Sequence, residues 1–298
     1  MIALRDQRDL ILVKIGSDMQ HDRSSNTTVH SSPAGNHSRP SDHIVHGCTL
    51  MELLVVTAVI AVLVGVLVPG LQEGVRTAGQ VYCQANLAQA AKGWLLYLDD
   101  HHGAFYQEVN ANLHYGGWIG MWEYAGSVER RPRPLNPYVG LPEIVEDIDG
   151  APVFRCPQDF GGVPGQPDLT CNEVMGTSYQ TNLFLIGQTQ ISLNPPRVRP
   201  LHREINKRLP KMNISRASEP SRLILMGEYG WMLQWGAGLP SSPESEWHGV
   251  PATFTVAFLD GHAGFMRIRK GLYVTEQYRV LPFAELDAMA IALQQEEP

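Results

Sequence analysis

From Leu53 to Gln72 the chain runs twenty positions without a charge, dominated by Leu, Val, Ile and Ala. At ~1.5 Å of rise per residue, a helix of that length covers roughly 30 Å, the thickness of a bilayer's hydrocarbon layer. The pattern predicts a transmembrane helix over about residues 50–71. The competing expectation is a buried core helix, but globular helices of this length rarely lack charge on every face. The run is also too far from residue 1, and too uniform, for an ordinary cleaved secretory signal.

After Pro69 and Gly70 the pattern turns amphipathic. Leu71, Val75, Ala78, Val81, Ala85, Ala88, Leu95 and Leu98 recur largely at three- and four-residue steps, with Gln72, Arg76, Gln80, Gln84 and Lys92 between them. One long helix over residues 48–102 is the simplest account, ended by Asp99-Asp100-His101-His102-Gly103 with Gly103 as the terminating glycine. Pro69 lacks an amide hydrogen and crowds the preceding turn, so a kink is expected there.

Residues 1–47 have another character. Beyond a short patch at Leu10–Val13 they are rich in Ser, His, Asn, Asp and Pro without periodicity. Such a segment buries too little to offset the entropy of ordering, and is expected to be a disordered leader.

Residues 103–298 carry the signals of short strands and turns, an α+β globular domain with loop-rich insertions. Val153–Arg155, Ser178–Ile186, Leu223–Met226 and Thr253–Leu259 are β-prone. A two-residue turn at Asp260-Gly261 would pair Phe258 with Ala263 and Val256 with Phe265. Residues 282–295 suggest a short surface helix.

Composition narrows the function classes. A net charge of −7 disfavours nucleic acid as a partner, and 44% apolar content describes a folded protein. Four cysteines are too few for a disulfide scaffold and enough for one bridge. Cys156 and Cys171 flank a Pro- and Gly-rich loop and are the candidate pair, with two buried thiols as the alternative; Cys83 has no obvious mate. No nucleotide loop, zinc-protease helix or Gly-x-Ser-x-Gly turn is present, so no enzyme is expected. Trp118 and Trp122, in the aromatic segment 114–124, fit core packing better than a sugar-binding face.

The junction His46-Gly47-Cys48-Thr49-Leu50-Met51-Glu52 carries the main inference. It resembles the cleavage and methylation site of the type IV prepilins and type II secretion pseudopilins. That family usually has Phe where this chain has Cys48 and Ile where it has Met51, while Thr49, Leu50, Glu52, Leu53 and Leu54 match. The resemblance implies a pilin-like fold: a long N-terminal helix packed on an antiparallel sheet. It also implies cleavage by a prepilin peptidase between Gly47 and Cys48 and methylation of the new amine. Its expected place is the inner membrane, as a single-pass protein with the C-terminal domain outside the cytoplasm. The expected role is a pseudopilin or minor pilin-like structural subunit, with other pilin-like subunits as partners.

Glu52 fits that implication physically. A carboxylate one turn into a membrane helix costs on the order of 1–3 kcal/mol and persists when it has a partner. In the family that partner is a neighbouring subunit's freed amine; the alternative is solvation by headgroups. A membrane-tethered module that never polymerises, and an anchored hydrolase, are the other classes. The site Gly47-Cys48 is unlike a lipoprotein's, because its apolar segment follows the cysteine. Pro69 matches a proline common in pilin helices.

Further landmarks resemble a pilin-like subfamily whose C-terminal domain is marked by His, nine residues and Asp-Gly. They are residues 83–87, 133–138, 154–157, 177–182, 222–226 and 258–262. Eleven residues separate His248 from Asp260 here. His248, Asp260, Gly261 and His262 are therefore candidate motif residues, expected to form a hydrogen-bonded turn. Metal binding is left open: some related pseudopilins bind calcium, yet Asp260 is the one evident oxygen ligand locally. Otherwise no cofactor is expected.

Overall fold

The computed structural model describes residues 49–107, 112–124, 130–187, 196–236 and 243–295. The leader, with Gly47 and Cys48, lies outside the described residues, as do the side chains of Trp122 and Tyr124.

The first described element is α1 (Leu50–Asp100), continuous through Pro69. Thr49 caps it: Glu52 N–H donates to Thr49 Oγ1 at 3.2 Å, while Thr49 N–H and Oγ1–H donate to Glu52 Oε2 at 2.8 and 2.9 Å. This reciprocal capping box satisfies amides that no helical carbonyl can reach. Residues 50–75 are exposed; Leu53 is 61% and Val66 76% accessible, so the apolar run is not buried in the chain's own interior. Among the described residues α1 is the helix long and apolar enough to cross a membrane.

From Gly79 onward α1 has a buried face that shares Leu98 with the stripe the sequence pattern marks and otherwise lies beside it. Gly79, Cys83, Asn86, Leu87, Ala90, Ala91, Gly93, Trp94, Tyr97 and Leu98 are buried, while Val75 and Val81 stay 62% and 58% exposed. Small residues let loop segments come close. The Asn86 amide donates to the carbonyls of Pro152 and Arg155 at 3.2 and 2.9 Å. Trp94 is wholly buried between Tyr97, Phe105 and Tyr115. The helix stops with a six-to-one bond from Gly103 N–H to the Leu98 carbonyl at 2.6 Å. His102 (φ 54°) enters the left-handed region before Gly103 (φ 78°), so two residues share the terminating role.

Besides short 3₁₀ turns, the chain forms α2 (Met121–Tyr124), α3 (Cys171–Met175), β1 (Tyr179–Thr181), α4 (Arg199–Arg208), β2 (Ile224–Glu228), α5 (Gly230–Trp235), β3 (Thr253–Phe258), β4 (Ala263–Arg267) and α6 (Asp287–Gln295). The strands form one antiparallel sheet in the order β1-β2-β3-β4, which with α1 makes the architecture α+β. β1, β2 and β3 are buried along their length, whereas β4 is a half-exposed edge.

Two expected strands shrink for local reasons. Val153–Arg155 is a 3₁₀ turn over Pro152–Phe154, because Pro152 pre-sets the turn at its first position. The strand from Ser178 ends at Thr181, where Asn182 Oδ1 accepts the Phe184 amide at 2.9 Å and turns the chain.

The β3–β4 hairpin is one residue out of the expected register: Ala257 pairs Ala263, and Thr255 pairs Phe265. Gly261 adopts φ 92° and donates its amide to the Phe258 carbonyl at 2.9 Å, and Phe258 N–H donates to the His262 carbonyl at 2.8 Å. The loop therefore has three residues and a glycine in the left-handed position, the turn-plus-bulge form in place of the two-residue turn.

Candidate functional site

The structure corrects the disulfide. Cys156 is bonded to Cys83 on α1, with Cα atoms 5.2 Å apart, and Cys171 is a buried free thiol. Proximity in sequence misled because the loop between Cys156 and Cys171 is organised from within. Asp159 Oδ1 accepts the amides of Gly161 and Cys171, and Asp159 Oδ2 accepts the Asn172 amide and the Ser178 hydroxyl, at 2.7–3.0 Å. The Cys171 Sγ donates to the Gly161 carbonyl, and burial pushes this thiol up from its ordinary range.

Next to the Cys83–Cys156 bridge lies a buried polar cluster. His248 Nε2 is 2.5 Å from Glu228 Oε1, and its Nδ1 is 2.5 Å from Gln158 Oε1. The Gln158 amide nitrogen donates to the Arg76 carbonyl at 3.2 Å, which turns its oxygen toward the imidazole. Nδ1 must therefore carry a hydrogen and donate it to Gln158. The Glu228 carboxylate is held from its other side, where Oε2 accepts the Thr255 amide at 3.0 Å. Two otherwise accepting atoms, Nε2 and Oε1, thus face each other and need a cation between them, a proton at the least. The side chains of His248 and Glu228 are 1% and 0% accessible.

Four segments build this cluster. Cys83 comes from α1, Cys156 and Gln158 from the loop after the Pro152 turn, Glu228 from the last position of β2, and His248 from the loop before β3. Gly79 makes room for it: a Cβ there would lie 2.5–2.8 Å from three side-chain atoms of Gln158. Arg76 closes the outer side, donating Nη1–H to the His248 carbonyl at 2.6 Å while pairing with Glu73. The hydrogen bond from Arg76 holds the Glu73 carboxyl below its usual range, and Glu73 in turn raises the Arg76 guanidinium. Nearby, burial pushes the Tyr179 hydroxyl well up from its usual range, and Glu228 adds to the effect.

The C-terminal motif residues do not come together. His248 belongs to the buried cluster. Asp260 and His262 form an exposed pair at the hairpin, where Asp260 Oδ1 accepts the His262 amide and lies 2.5 Å from its Nδ1. His262 also stacks on Phe258, with ring centroids 4.2 Å apart. One carboxylate at this turn does not supply the six to eight oxygens that calcium takes. Gly261 serves the turn. In the aromatic segment, Tyr115 is buried and donates to the Tyr179 carbonyl, and Trp118 Nε1 donates to the Asn172 carbonyl, so both are packing residues.

Comparison with family models, curated proteins and solved structures returned no match.

Gln158, Glu228 and Arg76 were not marked by sequence reasoning. Glu228 had a readable signal: a carboxylate closing the apolar run Ile224-Leu225-Met226-Gly227 demands a partner when the strand is buried.

Proposed function

We propose that the chain is a pilin-like, single-pass inner-membrane protein with its globular domain outside the cytoplasm. It acts as a pseudopilin or minor pilin-like structural subunit of a type II secretion-like or type IV pilus-like machine. A prepilin peptidase cuts it between Gly47 and Cys48. The observation that carries this is the two-part character of α1. Its first half is apolar and exposed on every side, and its second half is covalently tied to the globular domain. Beyond the apolar run, Val75, Val81 and Tyr82 stay more than half exposed, as a helix awaiting neighbouring helices requires. Glu52 is the one charge in α1 before Glu73.

The capping box favours a second arrangement, a tether that never polymerises. There Glu52 is already used by Thr49 of its own helix and needs no other subunit. Two measurements separate these. Mass spectrometry of the membrane-extracted chain should find a mature N-terminus at a methylated Cys48. Glu52→Ala should abolish cross-linking between subunits in the membrane. An intact leader, with no cross-linking between subunits in the parent chain, leaves the tether.

A further inference from the structure

We propose that Cys83, Cys156, Glu228 and His248 form a metal centre of the zinc class in the reduced chain, so that disulfide and metal are alternative occupants of one buried site. The two sulfurs, a carboxylate oxygen of Glu228 and a ring nitrogen of His248 all lie within 4.8 Å of one another, and all four residues are buried. Two thiolates, one imidazole and one carboxylate are a four-donor set suited to tetrahedral zinc, with bonds of about 2.0–2.3 Å. Calcium and magnesium would reject the sulfurs.

The surroundings of the donors are those of a metal site. A ligating histidine donates its other ring N–H to an oxygen, and a ligating carboxylate is hydrogen-bonded in turn. Here His248 Nδ1 is engaged by Gln158 Oε1 and Glu228 Oε2 by the Thr255 amide, so Nε2 and Oε1 are the atoms left facing each other. These orienting contacts come from side chains and backbone outside the four ligands. The site would carry one net negative charge with zinc bound, opposite in sign to Arg76, which donates to the His248 carbonyl.

An external dithiol reduces the bridge: the S–S bond breaks, two S–H bonds form, and the dithiol leaves as its own disulfide. Binding of a divalent ion then forms two metal–sulfur bonds and one bond each to Nε2 and Oε1, and releases three protons to water: the two thiol protons and the one held between Nε2 and Oε1. Oxidation by a disulfide reverses this and expels the ion. The inference stands whether or not the chain assembles with other subunits.

The test uses the full chain in detergent, reduced with a phosphine and titrated anaerobically with cobalt(II). The expected result is one cobalt per chain with a thiolate-to-metal charge-transfer band and tetrahedral ligand-field bands, displaced by zinc and absent from the oxidised chain. Cys83→Ser and Cys156→Ser chains should lose the band, and Cys48→Ser and Cys171→Ser chains should keep it. Absence of the band in the reduced parent overturns the proposal, as does a band that follows Cys48 or Cys171. Alkylation mapping supplies a readout that survives poor folding: zinc should protect Cys83 and Cys156 in the reduced parent. Equal labelling with and without zinc also overturns it.

Discussion

Replacing Cys83 by alanine opens a covalent loop of 73 residues and frees the middle of α1 from the segment around Cys156. In the chain-entropy description, a loop of that length is worth about 4 kcal/mol, against about 3 kcal/mol for a bridge closing some 15 residues. For a folded domain of this size, about 4 kcal/mol corresponds to roughly 8–16 °C in melting temperature. The loss should fall on the helix–domain junction, where Asn86 and Gly79 meet the Pro152–Gln158 segment. The assay is a non-reducing thermal melt of the full chain in detergent with a chelator, followed by near-ultraviolet circular dichroism. Cys83→Ala and Cys156→Ala should lose similar amounts, and the double variant should lose little more than either, because both remove one bond. Cys171→Ala should cost less than about 1 kcal/mol, since it removes one weak sulfur hydrogen bond. The reasoning is refuted if Cys83→Ala melts with the parent while Cys171→Ala matches Cys156→Ala.

Three further outcomes are expected. Gly79→Ala should destabilise by about 1–3 kcal/mol, because its Cβ would overlap the Gln158 side chain; a melt beside the parent decides it, and an unchanged midpoint would contradict the overlap. Arg133→Met should cost about 3–5 kcal/mol, since it strands Glu123, whose carboxylate is buried 2.6 Å from the Arg133 guanidinium. Urea midpoints check that value, and a loss no larger than an exposed Arg130→Met gives would contradict it. Burial pushes His114 and His202 down to about 4, with Arg133 adding to the effect at His114. Their folded values lie below the unfolded value of about 6.5, so the unfolded chain binds more protons between the two and stability falls as pH drops through that window. Each histidine should contribute a slope on the order of 1.4 kcal/mol per pH unit, read from urea midpoints between pH 7 and pH 4.5. A chain carrying His114→Asn and His202→Gln should lose that slope; retention of it would contradict the assignment.

By itself, the sequence determined the elements whose cause is local. Twenty uncharged, mostly apolar positions are enough to require a helix that no aqueous interior covers, and α1 is that helix. Asp260-Gly261 likewise marks a hairpin. What lay beyond local reach needed the tertiary structure. The packed face of α1 begins with Gly79, Cys83 and Asn86 and sets Ala90, Ala91 and Gly93 among Leu87, Trp94, Tyr97 and Leu98, so its small and polar members blur the apolar period, while Val75, Val81 and Tyr82 beside it stay exposed. The hairpin register shifted by one because Gly261 took a left-handed bulge position that its neighbours do not encode. The Cys83–Cys156 pairing, and the convergence of Glu228, His248 and Gln158 beside it, join residues up to 165 positions apart between Cys83 and His248. Periodicity cannot register such distances, because contacts of that separation are set by how the loops after residue 150 fold back on the helix.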